Sequence, residues 1–152
     1  MVGGRCLDDC MSSRSRIENE GQKNKWEDKC ILLNGRIFCS HLAKPNVDFP
    51  QNTLNVLAGK PANLSCVVFG SPKPNVLWIK NIREIHQSDR YYISENPTSM
   101  QYTWQSVLHI ASTWQNDTGN YSCFVRNVAG TNISNMTLNV FGMNSVFVIF
   151  HH

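Results

Sequence analysis

From Pro45 onward, apolar and polar side chains alternate in short runs divided by turn residues, the period-two pattern of strands with one buried face. In PANLSCVVFG (61–70), Ala62, Leu64, Cys66 and Val68 share one face, and Asn63, Ser65 and Val67 lie between them on the other. GSPKPN (70–75) is a stiff turn. VLWIKN (76–81) then sets Val76 and Trp78 against Leu77 and Ile79. The latter two face outward, an uncomfortable position that implies cover by a loop or contact with a partner. RYYIS (90–94) reads as an edge strand, and QSVLHI (105–110) continues with Leu108 and Ile110 inward and His109 at a plain surface position. NYSCFVRN (120–127) turns Tyr121, Cys123 and Val125 inward and leaves Asn120, Ser122, Phe124 and Arg126 outside. A last strand over 133–140 buries Met136, Leu138 and Val140 and exposes Asn135 and Thr137. No segment carries a 3.6-residue period, so the expectation is an all-β fold of two packed antiparallel sheets with about seven to nine strands.

The first forty residues differ in kind. They hold four of the six cysteines and 13 of the 25 charged side chains. ILLNGRIFC (31–39) reads as a small hairpin turning at Asn34-Gly35, and SSRSRIENEGQKNKWEDK (12–29) as a mobile loop or a short irregular helix. Cys6, Cys10, Cys30 and Cys39 allow three pairings, among which the sequence does not choose. Zinc ligation is the alternative to bridging, and an extracellular setting favours bridges. With so little apolar content the segment needs such bridges to hold. It lacks the close first cysteine pair and leucine ladder of a leucine-rich-repeat cap, so a small cysteine-rich module or a linker is the simpler reading. His41 to Asn46 reads as a short linker. The chain thus divides into a cysteine-rich segment (1–44), a sandwich (45–141) and a tail (142–152).

Charge and composition narrow the function classes. The net charge of +3 is small and scattered, which excludes a nucleic-acid surface. Six cysteines and Asn-x-Ser/Thr sequons at Asn63, Asn116, Asn120, Asn132 and Asn135 favour an extracellular or cell-surface glycoprotein. The opening MVGGRCLDDCMSS has no apolar leader core, which suggests a fragment of a larger ectodomain. The apolar run Val146 to Phe150 falls far short of the roughly 17 to 25 residues a membrane helix needs, so membrane attachment is expected only through another part of the parent chain.

The spacing of three residues carries most of the fold information. Trp78 follows Cys66 by twelve residues, and Cys123 follows Trp78 by a further 45. With Pro50, Gly59, Leu108, Ile110, the run Asp117-Thr-Gly-Asn-Tyr-Ser-Cys123 and the turn Asn127-Val-Ala-Gly130, residues 45–140 resemble an intermediate-set (I-set) immunoglobulin domain of cell-surface receptors and adhesion molecules. The resemblance implies a Cys66–Cys123 disulfide with Trp78 packed on it. It also implies that the Tyr121 hydroxyl closes a corner of the sandwich and that Asp117 pairs with Arg90, all as scaffold.

Function is then read mostly by exclusion. No histidine is placed beside a serine, cysteine or acid in a lasting way, and there is no phosphate-cradling glycine loop and no carboxylate pair for acid–base work. Catalysis is not expected, nor any cofactor or metal. Protein–protein recognition in adhesion or receptor binding is the natural alternative, with a soluble growth-factor-binding or decoy module, or an inert spacer, behind it. One candidate face bears Ile79, Phe124 and Arg126; a second is the loop SENPTSMQYTWQ (94–105), where Tyr102 and Trp104 are either anchors or the packed start of a strand. Sugars at Asn63, Asn120, Asn132 and Asn135 would shield the strands that bear them.

Overall fold

The alternation read from the sequence becomes a burial pattern. In a computed structural model, which describes residues 26–142, Ala62, Leu64, Cys66 and Val68 are buried while Asn63 between them is exposed. The described strands are β1 (Trp26–Leu33), β2 (Arg36–Asp48), β3 (Thr53–Leu57), β4 (Ala62–Ser71), β5 (Asn75–Lys80), β6 (Arg83–Glu84), β7 (Tyr91–Pro97), β8 (Thr103–Ile110), β9 (Gly119–Asn127) and β10 (Gly130–Phe141). They form two five-stranded sheets, ordered β1-β2-β4-β8-β7 and β3-β10-β9-β5-β6. The expected edge strand at 90–94 is β7, at one margin of the first sheet.

Three expectations are corrected here. Among the described residues there are ten strands; nine of them, β2 to β10, reach into 45–141, within the expected seven to nine, but β1, from the segment read as separate, pairs with β2 and extends the first sheet. The sheets are not wholly antiparallel, since β3 runs parallel to β10 with Thr53 opposite Thr137 and Leu57 opposite Phe141. Residues 41–46 are not a linker: they lie inside the thirteen-residue β2, which pairs with β1 and then, past an irregularity between Ala43 and Asn46, with β4. Leu42, Ala43 and Val47 are buried along this stretch, which explains why it stays extended. Trp26–Lys29, read as loop or helix, belong to β1; the rest of that segment, with Cys6 and Cys10, lies outside the described residues, as does the run 146–150.

The hairpin at Asn34-Gly35 is present, with φ of 50° and 72° at the two turn residues. Both values suit Asn-Gly and match the right-handed twist of the flanking strands. The register places Cys30 directly opposite Cys39.

The core lies between the sheets. Cys66 on β4 and Cys123 on β9 form a disulfide across it, closing 57 residues of sequence separation. Trp78, fully buried, is the register partner of Cys123 and meets Phe49 edge to face with ring centroids 5.7 Å apart. A buried indole needs a partner for its N–H, and Trp78 Nε1 donates to Ser106 Oγ on β8 at 3.0 Å. At the corner before β9 the buried Tyr121 hydroxyl donates to the Asp117 carbonyl at 2.9 Å. Gly70 is fixed by close approach: a Cβ there would sit 2.6 Å from Pro74 Cγ.

Candidate recognition surfaces

Asp117 closes a short 3-10 turn (Gln115–Asp117), and its buried carboxylate faces donors from four residues. Arg90 Nη2 and the Trp114 backbone N–H (2.6 Å) both bond Oδ2, the Tyr91 hydroxyl reaches Oδ1 at 3.3 Å, and Lys80 Nζ stands 3.8 Å from Oδ1. Burial alone would raise this carboxyl's pKa. The Arg90 and Trp114 hydrogen bonds and the Arg90 and Lys80 charges outweigh it and hold the group below its usual value. Arg90 is correspondingly raised, chiefly by its bond to Asp117. Burial, with the Asp117 charge next, raises Tyr91 and Tyr121. Arg90 also donates to the Ser112 carbonyl at 3.0 Å and lies 4.1 Å over the Trp114 ring. Both terminal nitrogens of Arg90 are committed to the corner, to Tyr91, Ser112 and Asp117, while its buried Nε has no partner, so this cluster fastens the fold.

The outer face of β10-β9-β5 differs. Leu77, Phe124 and Ile133 are direct register partners across three adjacent strands. Leu77 is 39% and Ile133 50% exposed, with Phe124 partly buried between them, so a continuous apolar row faces solvent. On one side lies the polar row Asn75–Arg126–Thr131, all exposed. On the other lie Ile79, Ser122 and Asn135, where Ser122 Oγ donates to Asn135 Oδ1 at 2.6 Å. The sequence-predicted Ile79, Phe124 and Arg126 are therefore brought together on one face. The row itself was missed, because Ile133 becomes a neighbour of Phe124 only through the register of β10. Sequons Asn135 and Asn120 lie on this same face, beyond the row's Ile79 side.

Tyr102 and Trp104 are not part of that face. Trp104 pairs with Val68 on the inward side of β8, half-buried at the end of the core with Lys73 Nζ 5.7 Å from its ring centroid. This is the packed-strand alternative. Tyr102 occupies the preceding turn with φ 57°, and its carbonyl accepts the Gly70 N–H at 3.1 Å.

His109 is not the plain surface position expected. On the outer face of β4-β8-β7, its Nδ1 is 2.8 Å from Asn63 Oδ1 and its Nε2 is 2.9 Å from Ser94 Oγ, with Tyr92 stacked at 5.5 Å. Three strands assemble this cluster, so no local motif announces it; only the register of β4, β8 and β7 brings it together. A hydroxyl, an imidazole and an orienting oxygen in this order resemble a nucleophile–base chain. However, β8 is paired on both sides, by β4 and by β7, which commits its backbone N–H groups to ladders rather than to a developing oxyanion. Among the described residues no group of His, Cys, Asp and Glu is placed to hold a metal ion, and no helix is long and apolar enough to cross a membrane.

Comparison with known proteins agrees with this architecture. The family model "Immunoglobulin I-set domain" matches residues 45–140. "Cell adhesion molecule-related/down-regulated by oncogenes" from Xenopus laevis is 31% identical over 122 residues, covering 76% of this chain and 9% of its own length. "M-protein, striated muscle" from Gallus gallus is 30% identical over 90 residues, covering 59% of this chain and 6% of its own length. Among solved structures, the complex of titin M10 with an obscurin-like 1 Ig domain superposes with a TM-score of 0.53 at 27% identity, covering 65% of this chain and 96% of that one. The chain thus spans under a tenth of the length of these two curated relatives.

Proposed function

The chain belongs to the immunoglobulin I-set family, and from that premise we propose that it is a non-enzymatic, extracellular protein–protein recognition module of a cell-surface receptor or adhesion molecule. The observation that carries the proposal is the solvent-facing row Leu77–Phe124–Ile133 with Arg126 beside it. Aromatic and arginine side chains on a rigid sheet are suited to anchoring a partner, because little entropy is lost in ordering them. A partner would approach from the Arg126 side, since sugars at Asn135 and Asn120 would occupy the opposite end. The Cys66–Cys123 bridge supports an oxidising compartment, as does the likeness to a cell-adhesion molecule.

A second reading is favoured by the likeness to a striated-muscle protein: a structural spacer with no ligand of its own. Mass mapping of the natural protein without reduction separates the two compartments. A Cys66–Cys123 bridge, with sugar on the sequons, is the expected result. Free thiols at both positions and bare asparagines would overturn the cell-surface assignment.

A further inference from the structure

The five sequons differ in what their side-chain amides already do. At Asn132 the Nδ2, the atom that would take a sugar, donates to Asn46 Oδ1 at 3.1 Å, so modification there competes with a bond of the fold. At Asn63 the arrangement is reversed: Oδ1 is held and Nδ2 is not. A carboxamide oxygen can only accept, so His109 Nδ1 donates to it, and Nε2 shares a hydrogen bond with the Ser94 hydroxyl. Tyr92, exposed itself, stacks on the ring and fixes its plane. Register puts Asn63, His109 and Tyr92 in one row across β4, β8 and β7.

Farther along β4 the same outer face is hollowed. A cavity of about 480 Å³ has apolar walls from Val67, Phe69 and Met100 and a rim bearing Asn46, Asp48 and Gln101. Val67 stands four residues from Asn63 on the same face of β4, about 13 Å along the strand. Pyranose rings present one face of C–H groups and a periphery of hydroxyls, which matches an apolar floor ringed by a carboxylate and amides.

We infer that Asn63 carries an N-linked glycan whose attachment amide is oriented by the Ser94–His109 relay and whose proximal sugars lie in this cavity. The inference rests on the extracellular reading above. It makes the β4-β8 face sugar-covered and leaves the Arg126 side of the opposite sheet for partners.

The test uses the full chain secreted from a eukaryotic host, with sequon occupancy read by glycopeptide mass spectrometry and methionine methyls labelled for NMR. The expected result is an occupied Asn63, with cross-peaks between the Met100 methyl and sugar ring protons that are lost in Asn63→Gln. His109→Ala should keep the sugar and lose those cross-peaks. A Met100 methyl that is identical in the glycosylated protein and in Asn63→Gln overturns the cavity assignment. Cross-peaks unchanged in His109→Ala overturn the relay. If other sequons are occupied and Asn63 is bare, this inference alone fails. A secreted chain with no sugar at any sequon removes the glycoprotein reading with it.

Discussion

Trp78 on β5 donates its indole N–H to Ser106 on β8 at 3.0 Å, and both residues are fully buried. Their strand neighbours in register are the two halves of the disulfide: Cys123 lies beside Trp78, and Cys66 lies beside Ser106. The sheets are therefore joined twice at one level, once by the sulfur bridge and once by this hydrogen bond.

Removing the acceptor should leave a buried N–H without a partner. Ser106→Ala is expected to lower stability by about 1–3 kcal/mol, measured by urea denaturation followed through tryptophan fluorescence. Combined with Trp78→Phe, the loss should be smaller than the sum of the two single losses, because the second change removes the stranded donor.

The Asp117 corner should govern the acid limb of stability. Because its folded pKa lies below the unfolded value, Asp117 stabilises the fold fully above the unfolded carboxylate range, and this contribution is lost as pH falls through the folded value. Asp117→Asn should cost about 3–5 kcal/mol at neutral pH, nearer the lower figure because Arg90 is partly solvated. It should also flatten the fall in stability at acid pH. Denaturation midpoints taken from neutral to acid pH for both proteins would measure this.

Tyr121→Phe keeps the ring in the core and removes only the hydroxyl bond to the Asp117 carbonyl. The expected loss is about 1 kcal/mol, with the acid limb retained. A thermal melt beside that of Asp117→Asn separates the two contributions.

Gly70→Ala should be destabilising by about 1–3 kcal/mol through overpacking. The added methyl meets the Pro74 ring at 2.6 Å, with Pro45 Cα behind it at 3.3 Å, and neither belongs to a long side chain that can swing aside. The denaturation midpoint measures this directly.

Period-two alternation was enough to place the core because each of β4, β8, β9 and β10 has one buried face, and a one-residue slip would expose it. The disulfide, Trp78 and the corner were legible through the resemblance to the I-set pattern that their spacing carries. Register between strands was not legible. Nothing local to His109 says that Asn63 and Ser94 will flank it, and nothing local to Phe124 says that Ile133 will extend its surface. The parallel course of β3 and the strand character of His41 to Asn46 were hidden likewise. Both depend on partners distant in sequence, β10 for the first and β1 with β4 for the second. Trp104 was ambiguous because a packed strand start and an exposed anchor share one pattern, and only its pairing with Val68 distinguishes them.

The central claim is that partners meet the Leu77–Phe124–Ile133 face. Its most direct measurement is binding of the glycosylated chain to intact cells, comparing the wild type with Phe124→Asp and with Tyr92→Asp, which alters the opposite sheet. Replacing a central aromatic anchor by a charge should cost at least about 2 kcal/mol of binding, so Phe124→Asp should lose cell binding while Tyr92→Asp keeps it. Undiminished binding by a folded Phe124→Asp protein would contradict the account.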